Sequence, residues 1–127
     1  RRVLFRSCAP QVVVPSDGRV YDDARQTFNL RYQRYPAAIF FALNTEQVQA
    51  AVRCAVQLNL QISAAGNRNS FLSMATPDGS IVIDLSHMKS LSLDTAAMIA
   101  TVGPGVTGPM LNMATVAHGM PGLSAAR

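Results

Sequence analysis

Ala64-Ala65-Gly66-Asn67-Arg68-Asn69-Ser70-Phe71 is a turn of small and amide-bearing residues set between two apolar runs, Leu60 to Ala64 and Ser80 to Leu85. The first run alternates, and the second, Ser-Ile-Val-Ile-Asp-Leu, follows a Pro77-Asp78-Gly79 turn, so both read as buried strands. A strand that runs into such a turn exposes successive backbone N–H groups, and the concavity they form binds anions, above all phosphates. A tight turn with no ligand is the simpler alternative, because Gly and Asn tolerate positive φ. The segment lacks the three spaced glycines of a dinucleotide fingerprint, and it leads to a strand and not to a helix.

Upstream, Pro36 punctuates the chain and Ala37 to Ala42 is an apolar run of strand length. Its lack of alternation implies burial on both faces of a covered sheet. Asn44 or Thr45 caps the next segment, where Val48, Ala51, Val52, Ala55 and Val56 fall on one helical face. Asn59 stands where a left-handed C-terminal cap is wanted, and strand alternation resumes at Leu60. Strand, helix and strand make a βαβ unit with parallel strands. Further upstream, Pro10 to Asp22 reads as a turn-rich surface connection and Thr27 to Arg31 as a weak strand or loop.

Downstream, Ile81 to Leu85 is the best strand, and Leu91 to Leu93 with Ile99 to Val102 form a hairpin through Asp94-Thr95-Ala96-Ala97. Gly103-Pro104-Gly105 breaks the second strand. Thr107 caps a helix whose face is Met110, Leu111, Ala114 and Ala117 and which ends at Gly119. The expected fold class is α+β, a mixed sheet with a βαβ unit and flanking helices.

Arg1 to Ser7 resembles the in-frame translation of a sequencing-adapter tail and is expected to be an artefact. Without Arg1, Arg2 and Arg6 the formal net charge drops from +4 to +1. With 14% charged residues and no other basic cluster, nothing points to a nucleic-acid partner. No apolar run reaches the roughly 18 to 20 residues that cross a bilayer, so no membrane partner is expected. At 127 residues and 49% hydrophobic, the chain has material for one core. The expected organisation is 8–35 as an N-terminal connecting segment and 36–127 as one domain, incomplete at its C-terminus.

His87 and His118 have no ligand-spaced companions, which argues against a metal site. Ser70, Ser73 and Ser86 lack a nucleophile-elbow context. The six methionines read as core filling. Cys8 and Cys54 are either a disulfide or, for Cys54, a buried thiol on a helix face; their spacing leaves both open.

Thr45 to Ala55, Ile62 to Phe71, Asp78-Gly79, Ile83 to Met88 and Ala100 to Val106 occur in an order and at a spacing that resemble the PCMH-type FAD-binding domain of berberine-bridge-enzyme-like and carbohydrate-oxidase flavoproteins. The similarity runs from about Cys8 to Arg127 and identifies the chain as the N-terminal lobe of such a domain. In that family a Gly-Gly-His-Ser/Asp-aromatic turn holds the FAD pyrophosphate, and its histidine often bonds to the flavin. The resemblance thus implies that Ala65, Gly66, Asn67, Arg68, Asn69, Ser70 and Phe71 bind FAD, with Asn67 and Arg68 on the two glycines and Asn69 on the histidine.

Asn69 has no nucleophilic imidazole, so the implied FAD is not attached at this residue. Arg68 is a candidate charge for a phosphate, standing in for the basic residue usual before the turn, where this chain has Ala65. Leu123 to Arg127 resembles the lead-in to a Cys-Pro-x-Val-Gly stretch, whose cysteine is a second flavin anchor in many relatives. The resemblance also implies a Cys8–Cys54 disulfide, a secreted parent protein, and oxidation of a small CH–OH substrate with electrons passed to O2. No catalytic residue falls on this chain. The alternatives are a non-catalytic relative that keeps the fold as a binding module, or the FAD lobe of another PCMH-type oxidoreductase.

Overall fold

The computed structural model describes Phe5, Ser7 and residues 11–120. Its centre is a four-stranded sheet in the order β1-β2-β4-β3, made of Val12–Val13 (β1), Ala38–Phe41 (β2), Ile62–Ala65 (β3) and Ile81–Asp84 (β4). β1 runs antiparallel to β2, while β2 and β3 each pair in parallel with β4. The expected βαβ unit is present, but its two strands are not neighbours. β4 lies between them, because the chain returns after the turn and fills the gap that the crossover leaves.

Burial explains the unbroken apolar runs. Ala38, Phe40, Ile81 and Ile83 share a core on one face of the sheet with Ala51, Cys54 and Ala55 of α2 (Thr45–Gln57; the helix Arg19–Arg25 is α1). On the other face Ile39, Val82 and Ala65 pack with Tyr21 and Ala24 of α1. Strands covered on both sides have no polar face to alternate with. β3 differs from the expectation of a buried strand: it is the sheet edge, and of its four residues only Ala65 is buried.

The segment read as a surface connection instead contributes β1, a 3-10 turn at Pro15–Asp17 and α1. Val12 and Val14 are buried, and Phe5 packs edge-to-face on Phe40 with ring centroids 6.4 Å apart. Here the turn residues Pro15-Ser16-Asp17-Gly18 lie between elements and do not replace them; Asp17 accepts from the Val14 N–H at 3.0 Å and closes the turn.

The helix α2 begins at Asn44, whose side chain accepts from the Gln47 N–H at 2.9 Å. It ends as expected at Asn59, with φ of 51°, where Asn59 N–H donates to Val56 O and Leu60 N–H to Ala55 O. This is a Schellman closure. The buried face is rotated from the expected one: Ala51, Cys54 and Ala55 face the sheet, Val48 and Leu58 flank them, and Val52 and Val56 face solvent. Phe40, Ile81 and Ile83 already fill the space over the sheet, so small side chains let the helix approach.

β5 (Leu91–Asp94) and β6 (Ile99–Val102) form the expected antiparallel hairpin. Asp94 Oδ1 accepts from the N–H groups of Ala96 and Ala97, and Met98 closes the turn at φ 58°. α3 (Gly108–Val116) starts at Thr107, which caps the Met110 N–H, and turns off at Gly119 with φ of 67°. Its inner face is Leu111, Ala114 and Thr115, whereas the expected Met110 and Ala117 are exposed. Most of the methionines are not core filling: Met74, Met98, Met110 and Met113 are exposed, whereas Met88 packs partly buried against the core and Met120 is buried. No helix among the described residues is long and apolar enough to cross a membrane.

Candidate functional site: the turn after β3

Three strand ends lie in one row, since Asp84 at the end of β4 is in register with Phe41 of β2 and Ala65 of β3. The loops leaving the carboxyl ends of parallel strands are where α/β sheets bind ligands. Here they are Gly66 to Leu72 after β3 and Leu85 to Ser90 after β4. A third segment, Gly103-Pro104-Gly105 after the hairpin, docks on both.

That docking is close. A Cβ on Gly105 would stand 2.5 Å from Ser86 O, one on Gly103 2.3 Å from Met88 O, and one on Gly66 3.2 Å from Pro104 O. The first two distances exclude any side chain, so these glycines are what lets backbone lie on backbone. Gly105 N–H donates to Met88 O at 3.0 Å and Gly103 N–H to Ser90 O at 2.7 Å. Beside them His87 stacks on Phe41, with ring centroids 5.4 Å apart.

The turn itself is held by its carbonyls and not by its N–H groups. Ala65 O accepts from Leu85 N–H at 2.7 Å, Arg68 O from Phe28 N–H at 3.2 Å, and Phe71 O from Asn29 Nδ2 at 2.9 Å. Ser70 O accepts from Ser73 N–H, while Thr27 and Ser73 share a buried 2.6 Å hydroxyl contact below. From Gly66 to Leu72, no backbone N–H donates to any atom of the described residues. Seven consecutive residues thus have N–H groups without an acceptor among the described residues, and a run of free donors suits an anion with several oxygens.

Arg68 does not reach outward with them. It adopts φ of 54°, and its guanidinium donates through Nη2 to Asp84 Oδ2. Asp84 is fully buried, and its other oxygen accepts from Ser86 N–H at 2.9 Å and Ser86 Oγ at 2.5 Å. A carboxylate left unpaired there would destabilise the fold by roughly 3–5 kcal/mol, so the ion pair is a structural necessity of this strand end. Asn67 and Asn69 are exposed, as is Phe71, and Asn69 makes no hydrogen bond within the described residues.

The structure therefore gathers Ala65 to Phe71 at one strand end and adds Asp84, Ser86, Gly103, Gly105 and the 27–29 segment, which sequence reasoning did not place there. Asp84 carried a usable signal: a carboxylate ending the apolar run Ile81-Val82-Ile83 demands a counter-charge. The 27–29 support had none, because its contacts are long-range. Cys8 lies outside the described residues, as does Leu123 to Arg127; Cys54 is buried on α2. No cluster of three or more His, Cys, Asp or Glu suited to a metal occurs among the described residues.

The FAD binding domain family matches residues 36–126, which span β2, the turn, the hairpin and α3. The chain belongs to this family. As an FAD binding domain it is 36% identical over 113 residues to an FAD-linked oxidoreductase, ptmO, of Penicillium ochrochloron, covering 87% of this chain and 25% of that protein. It is 31% identical over 110 residues to xylooligosaccharide oxidase of Thermothelomyces thermophilus, covering 83% of this chain and 22% of that one. Among solved structures, 6-hydroxy-D-nicotine oxidase from Arthrobacter nicotinovorans superposes with a TM-score of 0.80 at 31% identity, over 86% of this chain and 24% of its own. The chain thus spans about a quarter of the length of these relatives.

Proposed function

We propose that this chain forms the part of an FAD-dependent oxidoreductase that grips the FAD pyrophosphate, and that the whole protein oxidises a small CH–OH substrate, such as an alcohol or sugar, and passes electrons to O2. The observation that carries the reading is the run of N–H groups from Gly66 to Leu72 with no acceptor among the described residues, at the carboxyl end of a parallel strand. Membership of the FAD binding domain family and the likeness to a sugar oxidase support the cofactor and the reaction class.

FAD, when bound, supplies the hydride acceptor and the electron path to oxygen. This chain's residues supply binding. Gly66 to Ser70 donate N–H groups to phosphate oxygens, Gly103 and Gly105 keep the adjoining loop close, and exposed Asn69 offers an amide that donates or accepts beside the cofactor. No covalent bond forms from residue 69, and any covalent link is to a cysteine beyond Arg127. A Cys8–Cys54 disulfide and a secreted parent protein belong to the same reading. The burial of Cys54 and the lack of free cysteines among the described residues support it.

Acid precipitation of the purified full-length protein, followed by peptide mapping, tests the proposal. FAD released to the supernatant, or found on a cysteine peptide beyond Arg127, is expected. Flavin on the peptide containing Asn69 would overturn the attachment claim. A protein that binds no FAD would overturn the cofactor claim and favour a non-catalytic relative that retains the fold.

A further inference from the structure

Arg68 presents a conflict between backbone and side chain. At φ of 54° glycine adopts the conformation without steric cost, whereas an arginine is strained. Yet the arginine side chain, one-fifth exposed, folds under the turn to meet a fully buried carboxylate. Asp84 is in register with Ala65, the residue just before the N–H row. An uncompensated negative charge at that point would repel the anion that the row is shaped to bind.

We propose that Arg68 is a positioning residue of the anion-binding turn: its guanidinium neutralises Asp84 and ties the turn to the end of β4, while phosphate oxygens are held by the backbone N–H groups and not by the arginine. The proposal rests on reading the turn as the FAD pyrophosphate site. It departs from the expectation that Arg68 contributes charge to a phosphate directly, because the guanidinium is already engaged from below by Asp84 and its Nε is enclosed by protein.

Backbone strain and charge pairing give opposite signs for one substitution, which makes the proposal testable. If conformation alone mattered, Arg68→Gly would stabilise the turn; under the proposal it leaves Asp84 buried without a partner. The full-length protein is to be compared with Arg68→Gly and with Arg68→Gly/Asp84→Asn. The readouts are the melting temperature of the FAD-free form and the dissociation constant for FAD from flavin fluorescence. Arg68→Gly is expected to lower the melting temperature and weaken FAD by about tenfold or more. Removing the stranded charge in the double variant is expected to restore both, with FAD affinity within about threefold of the parent.

A double variant that regains its melting temperature but binds FAD as weakly as Arg68→Gly would overturn the proposal and make Arg68 a direct phosphate ligand. An Arg68→Gly protein as stable as the parent, or more so, would also overturn it. Should Arg68→Gly fail to fold, a folded double variant with near-parental FAD affinity supports the proposal and an unfolded one refutes it. If the parent binds no FAD, the pyrophosphate reading fails; the FAD-free melting temperatures then still decide whether the pair ties the turn to β4.

Discussion

Tyr21 illustrates how one side chain joins the segment before residue 36 to the sheet. It is 3% exposed in α1, and its hydroxyl donates to Pro36 O at 2.7 Å, just where the chain enters β2. Burial pushes the phenol's pKa above 10.0, with the nearby Arg25 opposing the shift. The neutral phenol is thus favoured in the fold, while the unfolded chain ionises first. The resulting stabilisation is complete below pH 10 and is lost as pH rises through the folded value. Tyr21→Phe is expected to cost roughly 1–2 kcal/mol at neutral pH, because Pro36 O loses its donor. It should also flatten the alkaline loss of stability, which urea unfolding at about pH 9 and about pH 11 measures. The tyrosine stands in a segment without clean periodicity, and its role follows from a contact fifteen residues away that no local pattern encodes.

At the scale of the element, α2 shows where periodicity stops short. Its caps are legible to within a residue, Asn44 or Thr45 at the start and Asn59 at the end, because caps act within a few residues of their own position; the structure selects Asn44. Its facing is not legible. The stripes Val48-Ala51-Val52-Ala55-Val56 and Val48-Ala51-Cys54-Ala55-Leu58 both have helical spacing, and hydrophobicity alone favours the first. Packing selects the second: Ala51, Cys54 and Ala55 lie against Phe40, Ile81 and Ile83, with Val48 and Leu58 at the margins. Val56, 70% exposed, should therefore tolerate threonine within about 0.5 kcal/mol. Ala55, fully buried, should lose roughly 1–3 kcal/mol on replacement by leucine. Thermal denaturation of the two variants checks the contrast, and a costly Val56→Thr would contradict the observed facing.

At the scale of the whole molecule, the site exists because distant segments converge on one row of strand ends. Gly105 is the clearest test of that convergence. Any Cβ there would meet Leu85 O at 2.7 Å as well as Ser86 O, so Gly105→Ala must push the post-hairpin segment off the loop after β4. The expected result is a loss of roughly 1–3 kcal/mol in calorimetry together with weaker FAD binding by the full-length protein. The strand-forming runs after residue 36, the helix caps, the hairpin and the turn at Gly66 to Ser70 are local properties of the chain, since each depends on neighbours within a few positions. Three features emerge on folding alone: β4 inserts between β2 and β3, the residues before 36 supply an edge strand and a covering helix, and Arg68 serves Asp84 from within the turn. These features depend on volume filled and charge buried by residues far apart in the chain, and neither quantity is a property of local sequence.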